Sequence, residues 1–108
     1  MPLADLYGLV TRNDLENDGH ICPGYEWLKQ NTLSIEESLP VMTINAAYAL
    51  FREDEIGSLE MGKYADLLIL SHNPMANPAE TLLETEVWLT MVGGRTAYCA
   101  TGQESLCP

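Results

Sequence analysis

Apolar residues recur near helical spacing at the front of the chain. In PLADLYGLVTR, Pro2 to Arg12, the residues Leu3, Leu6, Leu9 and Val10 share one side of a helix, and Pro2 suits a first turn. Gly8 weakens this helix without ending it. Asn13 to Thr32 shows no period. Asp14, Asn17, Asp18, Gly19, Pro23 and Gly24 punctuate it, which reads as a long loop with Tyr25, Trp27 and Leu28 as a local apolar anchor. A structureless stretch of about 20 residues is uncommon in a compact domain and is usually functional or mobile. Ser34-Ile35-Glu36-Glu37 then fits a capping box, in which the Ser34 hydroxyl and the Glu37 carboxylate each accept from the other residue's backbone N–H. The helix it opens should reach about Phe51, with Leu39, Met42, Ala46, Ala49 and Leu50 inward and Asn45 a satisfied buried amide. Pro40 conflicts with that helix, because an interior proline costs about 3 kcal/mol. Either the helix kinks there or a separate first turn precedes a helix over 41–51; the kink is the expected outcome.

After Glu53-Asp54-Glu55 the period changes to two. Ala65 to Leu70 reads as a strand, and its unbroken LLIL suggests burial on both faces. Ser71 to Glu80 is a loop, and Pro78 is a good start for a short helix over Ala79 to Leu83. Glu86 to Val92 and Arg95 to Cys99 flank Gly93-Gly94, and paired glycines supply the positive φ angles of a two-residue hairpin turn. That turn predicts Leu89 opposite Tyr98, Met91 opposite Thr96 and Trp88 paired with Cys99. Gln103 to Pro108 reads as a frayed tail. Helices followed by strands give a small α/β domain, or α+β taken in isolation. Residues 1–56 form its helical segment, 57–100 its strands and 101–108 a tail.

The 108 residues allow one domain with a modest core, and the 46% hydrophobic content does not suggest disorder. Five Lys and Arg face 16 Asp and Glu, for a formal net charge of −11, so binding to nucleic acid or to an anionic membrane surface is disfavoured. No run approaches the ~18 apolar residues of a membrane span, and the first residues lack the basic region of a signal peptide. Three cysteines, Cys22, Cys99 and Cys107, are an odd number without framework spacing. They point to reduced thiols and a cytoplasmic setting, with a Cys99–Cys107 bridge the less favoured alternative.

Candidate chemistry is sparse. His20-Ile21-Cys22 places two metal-binding side chains two residues apart, and His72 could join them. Zinc sites usually show paired ligands on both sides of a loop, so a loop histidine beside a packed cysteine is the stronger reading. No base and orienting group accompany Cys22 or Cys99 as a nucleophile, and Cys99 in a strand suits a packing role. Asp66 at a strand start could be catalytic, but a short acid there more readily accepts from the turn amides that follow Gly62. The glycines of GSLEMGK lack the following helix that a phosphate cradle requires. Gly57, Gly62, Lys63, Asp66, Gly93 and Gly94 therefore read as structural motif residues. The residues alone supply no catalytic constellation.

The stretches TINAAYALFREDEIGSLEMGKYADLLILSHNP and VWLTMVGGRTAYC resemble the C-terminal region of the metal-dependent amidohydrolase superfamily. The shared pattern is T-x-N-A-A-x-A, then G-S-[LI]-x-x-G-K-x-A-D-L, then V-x-x-T-x-V-x-G. It is met by Thr43, Asn45, Ala46, Ala47, Gly57, Ser58, Leu59, Gly62, Lys63, Ala65, Asp66, Leu67, Val87, Thr90 and Val92. PLADLYGLVTR is similar to the helix after the eighth barrel strand. The resemblance implies the C-terminal portion of a (β/α)₈ barrel enzyme, including part of an accessory β-sandwich. It implies an activity of hydrolysing non-peptide C–N bonds with a divalent metal such as zinc. The ligands it implies are an H-x-H pair, a carboxylated lysine or acid, two further histidines and an eighth-strand aspartate. None falls on this chain, and the aspartate would lie upstream of Met1. The expectation is a portion with no catalytic residues and no cofactor of its own, inactive alone. Its partners would be the missing barrel portion or further copies of itself in a homo-oligomer. A self-associating or partner-binding module is the alternative function.

Overall fold

The computed structural model describes residues 2–108. The described residues form three α-helices, α1 (Pro2–Thr11), α2 (Ile35–Met42) and α3 (Ile44–Ala49), and two antiparallel sheets. The smaller sheet pairs β1 (Asp14–Leu15) with β2 (Ile21–Cys22). The larger has the order β3 (Leu67–Leu70), β4 (Val87–Val92), β5 (Arg95–Cys99). This is the α+β arrangement expected of the chain in isolation. No helix among the described residues is long and apolar enough to cross a membrane.

The chain divides into two compact units. One comprises the chain to Leu39 together with His72–Thr85, and the other comprises Pro40–Ser71 and Glu86–Pro108. In the first unit α1 packs on a 3₁₀ helix over Ala79–Leu83, whose position and proline start match the sequence reading. Leu6, Tyr7 and Leu82 are buried there.

The stretch after α1 is more ordered than its sequence suggests. Asn13 Nδ2 donates to Tyr7 Oη, and its Oδ1 accepts from the Gly24 N–H. Arg12 donates through its guanidinium to the Asn31 carbonyl. Leu33 N–H donates to the Leu9 carbonyl, and β1 and β2 form a small hairpin between these ties. Gly24 is held tightly: a Cβ on it would lie 2.0 Å from the Arg12 carbonyl oxygen. The expected apolar anchor is absent. Tyr25 and Trp27 stack on each other with ring centroids 6.4 Å apart, but both stand in solvent.

The capping box forms as the sequence predicts. Glu37 N–H donates to Ser34 Oγ at 3.1 Å, and Ser34 N–H donates to Glu37 Oε2 at 2.9 Å. The effect of Pro40 differs from both expectations. Pro40 lies inside α2, and the helix stops at Thr43, three residues later. There Thr43 N–H donates to the Pro40 carbonyl three residues back, a tight last turn, and α3 starts afresh. The break resets the inward face, so Ala47 is buried while Asn45, Ala46, Ala49 and Leu50 are exposed. α3 ends in a Schellman motif: Arg52 N–H donates to the Ala47 carbonyl, Phe51 N–H to the Tyr48 carbonyl, and Phe51 carries a φ of 57°.

β4 and β5 turn at Gly93 and Gly94, with φ of 56° and 77°. Met91 faces Thr96 as expected, but Leu89 faces Cys99 and Thr90 faces Tyr98. Ala97 is the extra residue of a bulge, which shifts the register by one beyond it. β3 is an edge strand with Leu68 exposed, so LLIL is not buried on both faces. The last residues are not frayed. A 3₁₀ helix over Glu104–Leu106 brings Cys107 back to Cys99, and the two form a disulfide with Cα atoms 6.2 Å apart. Cys22 is the free cysteine. The bridge corrects the expectation of reduced thiols, and the cysteine argument for a cytoplasmic setting falls with it.

Candidate functional site

Two constructions use the residues singled out from the sequence. The first is the β1–β2 hairpin. Asp14 pairs with Cys22 and Leu15 with Ile21, and Glu16 N–H continues the ladder by donating to the His20 carbonyl. Asn17, Asp18 and Gly19 form the three-residue loop. Gly19 adopts a φ of 85° and donates its N–H to the Glu16 carbonyl, and Asp18 Oδ1 accepts from the His20 N–H. Opposed and alternate residues of a hairpin share a face, so Asp14, Glu16, His20 and Cys22 all project to the same side. Cys22 Sγ–H donates to Glu16 Oε1 at 3.3 Å, and Sγ lies 3.7 Å from His20 Nδ1. The bond to Glu16 raises the thiol above its ordinary pKa, reinforced by slight burial and by the negative charges of Glu16 and Asp14. An open cleft of about 370 Å³ beside the hairpin is bordered by Asp5, Asp14 and Glu16.

His20 and Cys22 are thus brought together, and Glu16 joins them although the sequence reading did not include it. The signal was the Asn17-Asp18-Gly19 turn, which folds position 16 back over position 20. His72 lies in the turn after β3, outside this group.

The second construction explains the G-S-L-x-x-G-K-x-A-D segment without chemistry. Gly57 has a φ of 93°, and a Cβ there would lie 2.8 Å from Ala47 Cβ and 3.0 Å from Ile44 Cα, so the chain passes directly over α3. Gly62 has a φ of 96° in open space, where only the turn asks for glycine. Lys63 Nζ donates to Ser58 Oγ at 2.7 Å and to Glu60 Oε2 at 2.8 Å, and Ser58 Oγ also donates to Glu60. Lys63 and then Ser58 hold the Glu60 carboxyl below the ordinary glutamate range. Asp66 does not accept from amides after Gly62. Its Oδ1 takes the Gly93 N–H at 2.6 Å, while the Ala65 carbonyl takes the Gly94 N–H at 3.0 Å. The β3–β4 pairing brings the hairpin tip beside Ala65 and Asp66, and both turn amides are satisfied there.

The ligand set that the resemblance implies includes four histidines, whereas the chain contains two. The one cluster of three or more metal-binding side chains among the described residues is Glu16, His20 and Cys22. These residues do not fit the barrel metal centre, and no hydrolytic step is derived through it.

Comparison with known proteins places this geometry. The sequence profile of the amidohydrolase family matches residues 1–98. The chain is 40% identical over 70 residues to the N-substituted formamide deformylase of Arthrobacter pascens, covering 65% of this chain and 13% of that protein. It is 32% identical over 100 residues to the 5-methylthioadenosine/S-adenosylhomocysteine deaminase of Symbiobacterium thermophilum, covering 84% of this chain and 20% of that protein. The crystal structure of an amidohydrolase from Thermotoga maritima matches with a TM-score of 0.55 at 30% identity, over 66% of this chain and 17% of that one. The chain thus spans between an eighth and a fifth of the length of these relatives. A profile match through 98 of 108 residues, joined to the structural likeness, shows that the chain belongs to the amidohydrolase family.

Proposed function

We propose that this chain is the C-terminal portion of an amidohydrolase-like, metal-dependent hydrolase of non-peptide C–N bonds, and that it is inactive alone. The observation that carries this reading is the family match through residues 1–98 in a chain with too few histidines for the family's metal centre. The relatives support the reaction class: one is named an N-substituted formamide deformylase and another a 5-methylthioadenosine/S-adenosylhomocysteine deaminase. In this reading the catalytic metal and its activated water belong to the barrel portion. The segment from Gly57 to Asp66 holds the accessory strands and touches no substrate. The gene tests the assignment. An open frame upstream of the Met1 codon that encodes a barrel strand with an H-x-H pair is the expected result. An in-frame stop directly upstream would overturn the C-terminal-portion reading.

A second reading is a self-associating module, and a specific observation favours it. Tyr48, Leu50, Phe51, Leu59 and Met61 of the second unit are all more than half exposed, with Phe51 at 91% and Met61 at 102%. Apolar side chains gathered in one stretch of a small unit suit burial against further protein, here a second copy of the chain. Sedimentation at micromolar concentration decides it: a dimer supports self-association, and a monomer throughout rejects it.

A further inference from the structure

We propose that Glu16, His20 and Cys22 form a divalent-metal site of zinc type on the β1–β2 hairpin. The donor atoms of the three residues all lie within 4.8 Å of one another. Tetrahedral zinc with bonds of ~2.3 Å to sulfur and ~2.0–2.2 Å to nitrogen and oxygen sets its donors about 3.4–3.6 Å apart. Sγ stands 3.3 Å from Glu16 Oε1 and 3.7 Å from His20 Nδ1, so both separations fall within a few tenths of an ångström of that spacing. Glu16 and His20 are exposed and Cys22 is half-buried, so rotamer adjustment of the first two can close the site.

The backbone holds the three ligands without help from a metal. Glu16 and His20 face each other across the last ladder bond, Gly19 supplies the left-handed loop residue, and Asp18 pins the His20 N–H. Cys22 is fixed two residues beyond His20 by pairing with Asp14. The donor set is one thiolate, one imidazole and one carboxylate, the mixture that zinc accepts and that magnesium or calcium does not favour. On binding, the Sγ proton that now points to Glu16 leaves to solvent, and the fourth position falls to water or to Asp14 on the same face. Asp5 and Asp14 along the adjoining cleft, and the chain's net charge of −11, favour a cation there.

The test uses the full chain with the Cys99–Cys107 bridge intact, so that Cys22 is the one thiol present. Cobalt(II) is the probe and zinc the competitor. The expected result is one cobalt per chain, with a near-ultraviolet thiolate-to-cobalt charge-transfer band, intense visible bands of tetrahedral cobalt, and loss of both on adding zinc. Cys22→Ser should abolish the charge-transfer band. Glu16→Gln and His20→Ala should each weaken binding at least tenfold, with apo circular dichroism unchanged. Cobalt binding without a thiolate band, equal binding by Cys22→Ser, or no saturable binding overturns the site.

Discussion

Gly57 and Gly62 permit a prediction in which two costs of a methyl group separate. Both have φ near 95°, so alanine at either position should carry a similar backbone strain, about 1–2 kcal/mol. Both substitutions also remove similar freedom from the unfolded chain, which offsets about 0.4–1 kcal/mol and cancels between them. They differ in surroundings. The Gly62 methyl would meet nothing within 4 Å, whereas the Gly57 methyl would sit 2.8 Å from Ala47 Cβ, 3.0 Å from Ile44 Cα and 3.2 Å from the Thr43 carbonyl oxygen. Two of these neighbours are backbone and cannot rotate away. Overpacking of this kind costs about 1–3 kcal/mol. Gly57→Ala should therefore destabilise the second unit by about 1–3 kcal/mol more than Gly62→Ala. Urea unfolding followed by Trp88 fluorescence in a Trp27→Phe background reads that unit. In the same background Ala47→Gly should be less costly when combined with Gly57→Ala than when Gly57 is kept, with a coupling of at least about 0.5 kcal/mol. Equal losses for the two alanine variants, or no coupling to position 47, would refute the close passage of the chain over α3.

Three further outcomes follow from the contacts. Ser34→Ala removes the acceptor for the Glu37 N–H and should cost about 1 kcal/mol, measured by denaturation, whereas Ser34→Asp should retain most of it. Reducing the Cys99–Cys107 bridge, which closes a loop of separation 8, should lower stability by about 2.5 kcal/mol on the chain-entropy account, and Cys107→Ser should match the reduced protein. The Glu60 carboxyl titrates below its unfolded value because Lys63 and Ser58 stabilise the carboxylate. Its contribution is thus present above the ordinary glutamate pKa and is lost as pH falls through the lowered one. Stability measured from pH 6 downward should fall less steeply in Glu60→Gln than in the unaltered chain.

How much could be read from the sequence depended on how local each determinant is. The capping box at Ser34, the Gly93-Gly94 turn and the short helix after Pro78 are fixed by residues within a few positions, and each stands where its pattern put it. Features set by distant contacts were not legible. The bulge at Ala97 moves Leu89 from Tyr98 to Cys99, and no alternation of side chains announces an extra residue. β1 and β2 have two residues each, too few to display a period. The Cys99–Cys107 bridge depends on the 3₁₀ turn over Glu104–Leu106, in a stretch without any periodic pattern of its own. Leu68 is exposed because its strand lies at an edge, which an apolar run does not announce. In the candidate site the same rule holds: the i, i+2 spacing of His20 and Cys22 was visible, while Glu16 enters only through the hairpin.

The central claim is that this chain carries the family's C-terminal architecture without its hydrolytic centre. The most direct test incubates the purified 108-residue chain, loaded with zinc, with an N-substituted formamide and measures released formate. The account predicts release no faster than the zinc-containing buffer blank, even when cobalt titration shows the hairpin site filled. Saturable formate release that stops on adding a chelator and returns with zinc would contradict it.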